Sequence, residues 1–285
     1  MKPETMIALR KTAKTSLRRI MTLLNLANEY KDLRSLTLSL IDYYKLRHHL
    51  ISGENKLISL RLPNGLTALC PLLPSYLKTL QVTFDEIFPW RVYDRVKDFK
   101  PSEGNSVLDL GAFIGLYTLK SYKAKYIVAI EPHPLSYTIL VENVEFNKLD
   151  NVLPLNVAIW DKDGFMTLYE EVDLVGSSSL KPLWQLGKHS KQFIVKTVTL
   201  DEVFKASHVK YFDIAKIDIE GAELELVRGG RMFLEKGLVQ RIVMEVHKKV
   251  VPQKIFYQVL REIGFRLIYR LSFEKTEIWY LVHVK

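Results

Sequence analysis

A chain of 285 residues, 48% of them hydrophobic, can bury a sizeable core and is not a wholly disordered sequence. Its single cysteine, Cys70, excludes an intramolecular disulfide, and neither a signal-peptide pattern nor a bilayer-length apolar run is present, so a soluble, cytoplasmic protein is expected. The net charge of +9 is uneven, because residues 1–60 hold 11 Lys/Arg against 5 Asp/Glu.

Residues 1–55 read as a basic helical extension. Leu17, Ile20, Met21, Leu24 and Ala27 recur at helical spacing within a predicted helix over 4–28, and a second helix is predicted over 33–50. Such a surface is either a solvated helical face or, through residues 1–30, a contact for an anionic membrane, nucleic acid or acidic partner. Residues 56–103 form a hairpin and linker region: Lys56 to Leu62 and Leu66 to Leu69 flank Pro63-Asn64-Gly65, Pro71 and Pro74 break the chain, and Phe84 to Phe99 is expected to turn helical after Pro89.

Residues 104–285 form the main domain, entered through Pro101 to Asn105. Strands are predicted near 106–111, 126–131, 152–159, 213–219 and 239–246, and helices near 115–123, 134–147, 222–235 and 252–263. Phe265 to Leu271 and Ile278 to Val284 read as an antiparallel pair. Gly164 to Glu170 and Phe193 to Leu200 add β-structure around a long loop, Glu171 to Gln192, of the kind that serves as a lid or binding loop. The alternation implies an α/β fold: a Rossmann-like, doubly wound, mostly parallel seven-stranded sheet with an antiparallel final strand.

The first strand of that domain runs into Asp109-Leu110-Gly111-Ala112-Phe113-Ile114-Gly115, and Glu131 follows Gly111 by 20 residues at the end of the second strand. Strand, glycine turn, helix, strand and terminal acid make a nucleoside-binding unit, in which the acid takes the ribose hydroxyls. Ala112 and Phe113 stand where a dinucleotide pyrophosphate would need a glycine, so the pattern favours S-adenosylmethionine over NAD. Asp109, Gly111, Ala112, Phe113, Gly115, Glu131 and Pro132 are the expected cofactor residues, with Asp109 facing the ammonium group and Asn156 or Ala158 the adenine edge.

A second constellation lies at Lys216-Ile217-Asp218-Ile219-Glu220-Gly221-Ala222-Glu223, where Lys216, Asp218 and Glu220 share one strand face. Glu245 and His247, also two apart, are expected to face Asp218 and Glu220 from the next strand as the acceptor end of the site. Asp218 would orient or deprotonate an acceptor hydroxyl, with His247 as the alternative base. Asp218, Glu245 and His247 would alternatively ligate Mg²⁺ or Mn²⁺. The structural alternatives are carboxylates at a helix N-terminus and a satisfied strand-end histidine.

Val107 to Gly115, Ile130-Glu131-Pro132, Asn156-Val157-Ala158, Gly176 to Leu180, Thr199 to Glu202 and Lys216 to Glu223 together resemble the successive motifs of FkbM-type methyltransferases. The resemblance covers about residues 80–250 and implies a class I methyltransferase fold with S-adenosylmethionine-dependent O-methylation of sugar or polyketide-like hydroxyls. Phe113 departs from it, since the family commonly has a small polar residue there. An RNA methyltransferase and a non-catalytic S-adenosylmethionine-binding protein are the rival readings. The lack of an Asn-Pro-Pro-Tyr-like motif weighs against the first, and the intact glycines and Glu131 weigh against the second.

Overall fold

The computed structural model describes residues 57–171, 174–181 and 191–284. The basic extension at 1–55, with its two predicted helices, lies outside the described residues, as does part of the 171–192 loop.

Strands β1 (Leu57–Arg61) and β2 (Thr67–Pro71) pair antiparallel across the Asn64-Gly65 turn, as the sequence predicts. Pro74 does not interrupt structure; it opens helix α1 (Pro74–Ile87), where the missing N–H and fixed φ of proline suit the first helical turn. The helix expected after Pro89 is absent, and that stretch holds only a 3-10 turn at Lys97–Phe99.

Beyond it, β3 (Ser106–Leu110), α2 (Leu116–Lys120), β4 (Tyr126–Ile130), α3 (Pro134–Phe146) and β5 (Val152–Leu155) form one half of the large sheet. The other half is built from β10 (Phe212–Ile217), α5 (Glu223–Gly229), α6 (Arg231–Glu235), β11 (Val239–His247), α7 (Gln253–Glu262), β12 (Phe265–Ser272) and β13 (Thr276–His283). The sheet order is β12-β13-β11-β10-β3-β4-β5, with β13 antiparallel to both neighbours and the remaining pairings parallel. Chain order reverses between β3 and β10, and there the carboxyl ends of an open sheet leave a crevice for a ligand.

Three predicted elements are modified. The strand expected at 152–159 divides, because β6 (Ala158–Ile159) leaves β5 to join a second sheet, β6-β9-β7-β8. The helix expected at 222–235 breaks at Gly230, where a side chain would sit 2.8 Å from Leu200. Helix α2 stops at Lys120, short of the predicted end. Strands β7 (Gly164–Glu171) and β9 (Lys191–Val198) match the predicted extra β-structure, while β8 (Leu174–Ser179) and α4 (Leu200–Ser207) are additions to it.

The hairpin and α1 are joined to the sheet by burial rather than tethered to it. Leu62, Ala68, Cys70, Tyr76 and Leu80 share one apolar cluster with Val107, Ile114, Tyr117, Val243 and Tyr280. Asn143 of α3 and Asn147, which caps its C-terminus, also take up backbone groups of Leu69 and Thr67.

Candidate active site

At the switch point the backbone is shaped by close approach. Gly111 has φ +73, and a Cβ there would lie 1.7 Å from the carbonyl oxygen of Asp218, so the turns after β3 and β10 touch main chain to main chain. Phe113 also takes a left-handed φ of 52°. The Phe113 N–H donates to Glu131 Oε2 and the His133 N–H to Glu131 Oε1, each at 2.8 Å, which ties the acid at the end of β4 to the glycine turn. Burial raises the pKa of Glu131 against these two N–H donors.

One cleft runs across the switch point. Gly111, Ala112, Phe113, Ile130, Glu131, Pro132, Val157, Ala158 and Ile159 line one end, and Glu86, Tyr93, Lys216, Asp218, Glu220 and Glu245 the other. The expected cofactor residues therefore divide. Gly111, Ala112, Phe113, Glu131, Pro132 and Ala158 reach the cleft, whereas Asp109, Gly115 and Asn156 stand behind it. Asp109 is completely buried, accepts a hydrogen bond from Thr118 at 2.6 Å and lies 3.7 Å from Lys216 Nζ, so it braces the turn, while its Oδ1 has no hydrogen-bond partner. Asn156 donates to the carbonyls of Glu131 and Pro132, and Gly115 admits Leu140, which a Cβ would meet at 2.6 Å.

At the other end, Lys216 and Asp218 share a face, with Lys216 Nζ donating to the Gly111 carbonyl at 2.8 Å and standing 3.7 Å from an Asp218 carboxylate oxygen. Burial alone would neutralise Lys216, but Asp218, Asp109 and Glu245 outweigh it and raise its pKa. Parallel pairing of β10 with β11 brings Glu245 beside Asp218, and the Tyr93 hydroxyl donates to both carboxylates at 3.3 Å. Burial, reinforced by Asp218, pushes Glu245 up to about 8 and Glu86 up to about 7.

His247 is held differently from the expected base. Its Nδ1 is 2.7 Å from Glu223 Oε1 and its Nε2 is 3.1 Å from Glu220 Oε2. Burial works against the charged ring, but these two carboxylates prevail and push its pKa up to about 12. A doubly bonded imidazolium has no free lone pair at neutral pH, so His247 acts as a clamp on Glu220, whose φ of 48° is itself strained.

Two cleft groups escaped the sequence reading. Glu86 arrives on α1, whose residues Thr79, Val82, Thr83 and Glu86 recur at helical spacing along the cleft. Tyr93 follows that helix and is 1% exposed. The helical recurrence of Leu77, Leu80, Phe84 and Ile87 was the available signal for α1. Strand β8 closes the roof: Gly176 N donates to Thr79 Oγ1, Ser179 Oγ donates to the Glu220 carbonyl and Lys181 Nζ to the Gly221 carbonyl.

Numbered along the chain from β3, the large sheet reads 3-2-1-4-5-7-6 with an antiparallel strand 7, which with a glycine turn and ribose-type acid defines the Rossmann-like class I methyltransferase fold. The chain belongs to the FkbM methyltransferase family: the model of the Methyltransferase FkbM domain matches residues 109–267. Hexuronic acid methyltransferase AglP of Haloferax volcanii is 24% identical over 174 residues, 58% of this chain and 69% of that protein. Methyltransferase sdnD of Sordaria araneosa is 28% identical over 179 residues, 52% of this chain and 68% of the relative. The solved FkbM methyltransferase of Methylobacillus flagellatus aligns over 63% of this chain and 44% of its own length, with 13% identity and a TM-score of 0.43. The present chain thus spans less than half of that protein.

Family membership brings S-adenosylmethionine as the methyl donor, and the cleft suits it chemically. Apolar walls at Ile130, Val157 and Ile159 offer a slot for a base, Glu131 an acceptor for ribose hydroxyls, and the carboxylates beyond them a match for positive sulfonium and ammonium groups. An anionic pyrophosphate would meet those same acids unfavourably.

Proposed function

We propose that this chain methylates a hydroxyl of a sugar or glycan, with S-adenosylmethionine held by the glycine turn, Glu131 and the walls around Ala158. The observation that supports the reading is the continuity of the cleft. The nucleoside end opens directly onto Asp218 and Glu245, which are joined through Tyr93.

S-adenosylmethionine, when bound, supplies a methyl carbon that an oxygen lone pair attacks as the carbon–sulfur pair returns to sulfur. The protein must position the acceptor and remove its proton, since an alcohol is almost wholly protonated at neutral pH. Asp218 accepts the hydroxyl proton in this proposal, and Glu245 beside it, with a pKa near 8, takes up or relays a proton in the working pH range. Lys216 holds the Gly111 carbonyl and balances part of the acidic charge. The relative named for hexuronic acid methylation supports a sugar-type acceptor at low identity.

A divalent ion is the other version of the chemistry, since Asp218, Glu220 and His247 each offer an atom within 4.8 Å of the others. We take the metal-free version, in which Glu223 and Glu220 hold the two ring nitrogens of His247; loss of turnover in EDTA that added Mg²⁺ restores would establish the other. Purified enzyme should therefore keep its turnover in EDTA. Asp218→Asn should lower turnover by about 10²-fold while S-adenosylmethionine binding and folding persist. Near-normal turnover in that variant would remove Asp218 from the reaction. Labelled methyl groups offered to lipid, glycan, RNA and protein fractions of a cell extract should enter the glycan fraction, and label in RNA alone would replace the reading with the RNA one.

A further inference from the structure

The cleft carries more acidic groups than the sulfonium and ammonium of a methyl donor would meet. Its charged lining, among the described residues, is Glu86, Glu131, Asp218, Glu220 and Glu245 against Lys216. Lys216 is already engaged by the Gly111 carbonyl and by Asp109 and Asp218, so it does not offer a ready site for an incoming anion. The Tyr93 hydroxyl likewise spends its proton on Asp218 and Glu245. What remains facing the acceptor is a wall of carboxyl groups in which Lys216 and His247 offset Asp218 and Glu220, leaving Glu86 and Glu245.

Glu86 makes this balance deliberate in physical terms. It sits in the last turn of α1, where the helix dipole opposes a carboxylate, in a partly buried place that further raises the cost of its charge. It also lies upstream of residues 109–267, the span matched by the family domain, yet faces the same cleft as Glu131 and Asp218. A carboxyl group so placed ionises more readily beside a partner that donates hydrogen bonds or carries positive charge, and less readily beside another anion. Vicinal hydroxyls donate hydrogen bonds, an ammonium group donates them and adds positive charge, and an ionised carboxylate does neither.

We propose that this cleft selects acceptors that present hydrogen-bond donors and carry no negative charge, neutral and amino sugars rather than uronates, and that Glu86 is a specificity-determining residue. The proposal rests on the reading of the chain as a sugar-hydroxyl methyltransferase.

The test uses the full chain, labelled S-adenosylmethionine and glycans released from a cell extract. After the reaction, acid hydrolysis and ion exchange separate neutral, amino and uronic monosaccharides. Label should concentrate in the neutral and amino pools at least about 10-fold over the uronic pool. Glu86→Gln should narrow that ratio by about 5-fold or more, with calorimetric S-adenosylmethionine binding retained. Val82→Lys, one turn earlier on the same helix face, should narrow it as well by adding a cation to the cleft wall. Label predominantly in uronates, or a ratio unmoved in both variants while each binds S-adenosylmethionine, would overturn the specificity and leave the methyltransferase reading standing. Label in no glycan pool but in RNA or protein would overturn that reading and this inference together.

Discussion

Glu131 has a structural duty that the sequence did not show. The spacing from Gly111 marked it as a ribose acid, but both of its oxygens also hold the N–H groups of Phe113 and His133. Glu131→Ala should therefore weaken S-adenosylmethionine binding in calorimetry by about 1–3 kcal/mol and also loosen the turn. Unchanged affinity in a folded variant would remove it from the cofactor site. Phe113 shows why one departure from the family pattern is tolerated. The left-handed φ that suits a small polar residue is kept, and the ring stacks on Tyr76 of α1 at 5.6 Å. The roles of Asp109 and Asn156 were less legible, because a one-dimensional motif marks a residue near the turn without saying whether its side chain faces the ligand or the scaffold.

At the scale of elements, regular strand–helix alternation was legible because buried parallel strands read as apolar runs bounded by turns. The roof of the cleft was not. It depends on α1, whose opening proline reads in sequence as a break, and on β8, which lies within what reads as a loop. These two elements pack together, most tightly where a Cβ on Gly176 would come 2.4 Å from Thr79 Cγ2. Gly176→Ala should push β8 away from α1 and break the Gly176–Thr79 hydrogen bond. The expected result is a raised KM for S-adenosylmethionine with a stability loss of about 1–3 kcal/mol by denaturant titration. A variant with wild-type kinetics would show that β8 is not part of the cofactor's roof.

For the whole molecule, the acidic cleft sets how stability follows pH. Glu86 and Glu245 hold their protons up to about 7 and about 8 in the folded chain, against an ordinary value of 4.5. The folded state thus binds more protons than the unfolded one across that interval, so their contribution is complete below about 4.5 and is lost as pH rises through 7 and 8. His247, raised from 6.5 to about 12, slopes the same way above neutrality. The melting temperature of ligand-free protein should fall between about pH 6 and 9, and Glu245→Gln should flatten the slope; a melting temperature that rises over this range would contradict the account.

The main-chain contact between Gly111 and Asp218 has a kinetic consequence. Because the turn proposed to receive the donor and the turn that carries Asp218 press directly on each other, filling one would define the position of the other. Catalysis should then be sequential and ordered, with S-adenosylmethionine entering first and S-adenosylhomocysteine leaving last. Product-inhibition patterns would show it: S-adenosylhomocysteine should compete with S-adenosylmethionine, and the methylated product should compete with neither substrate.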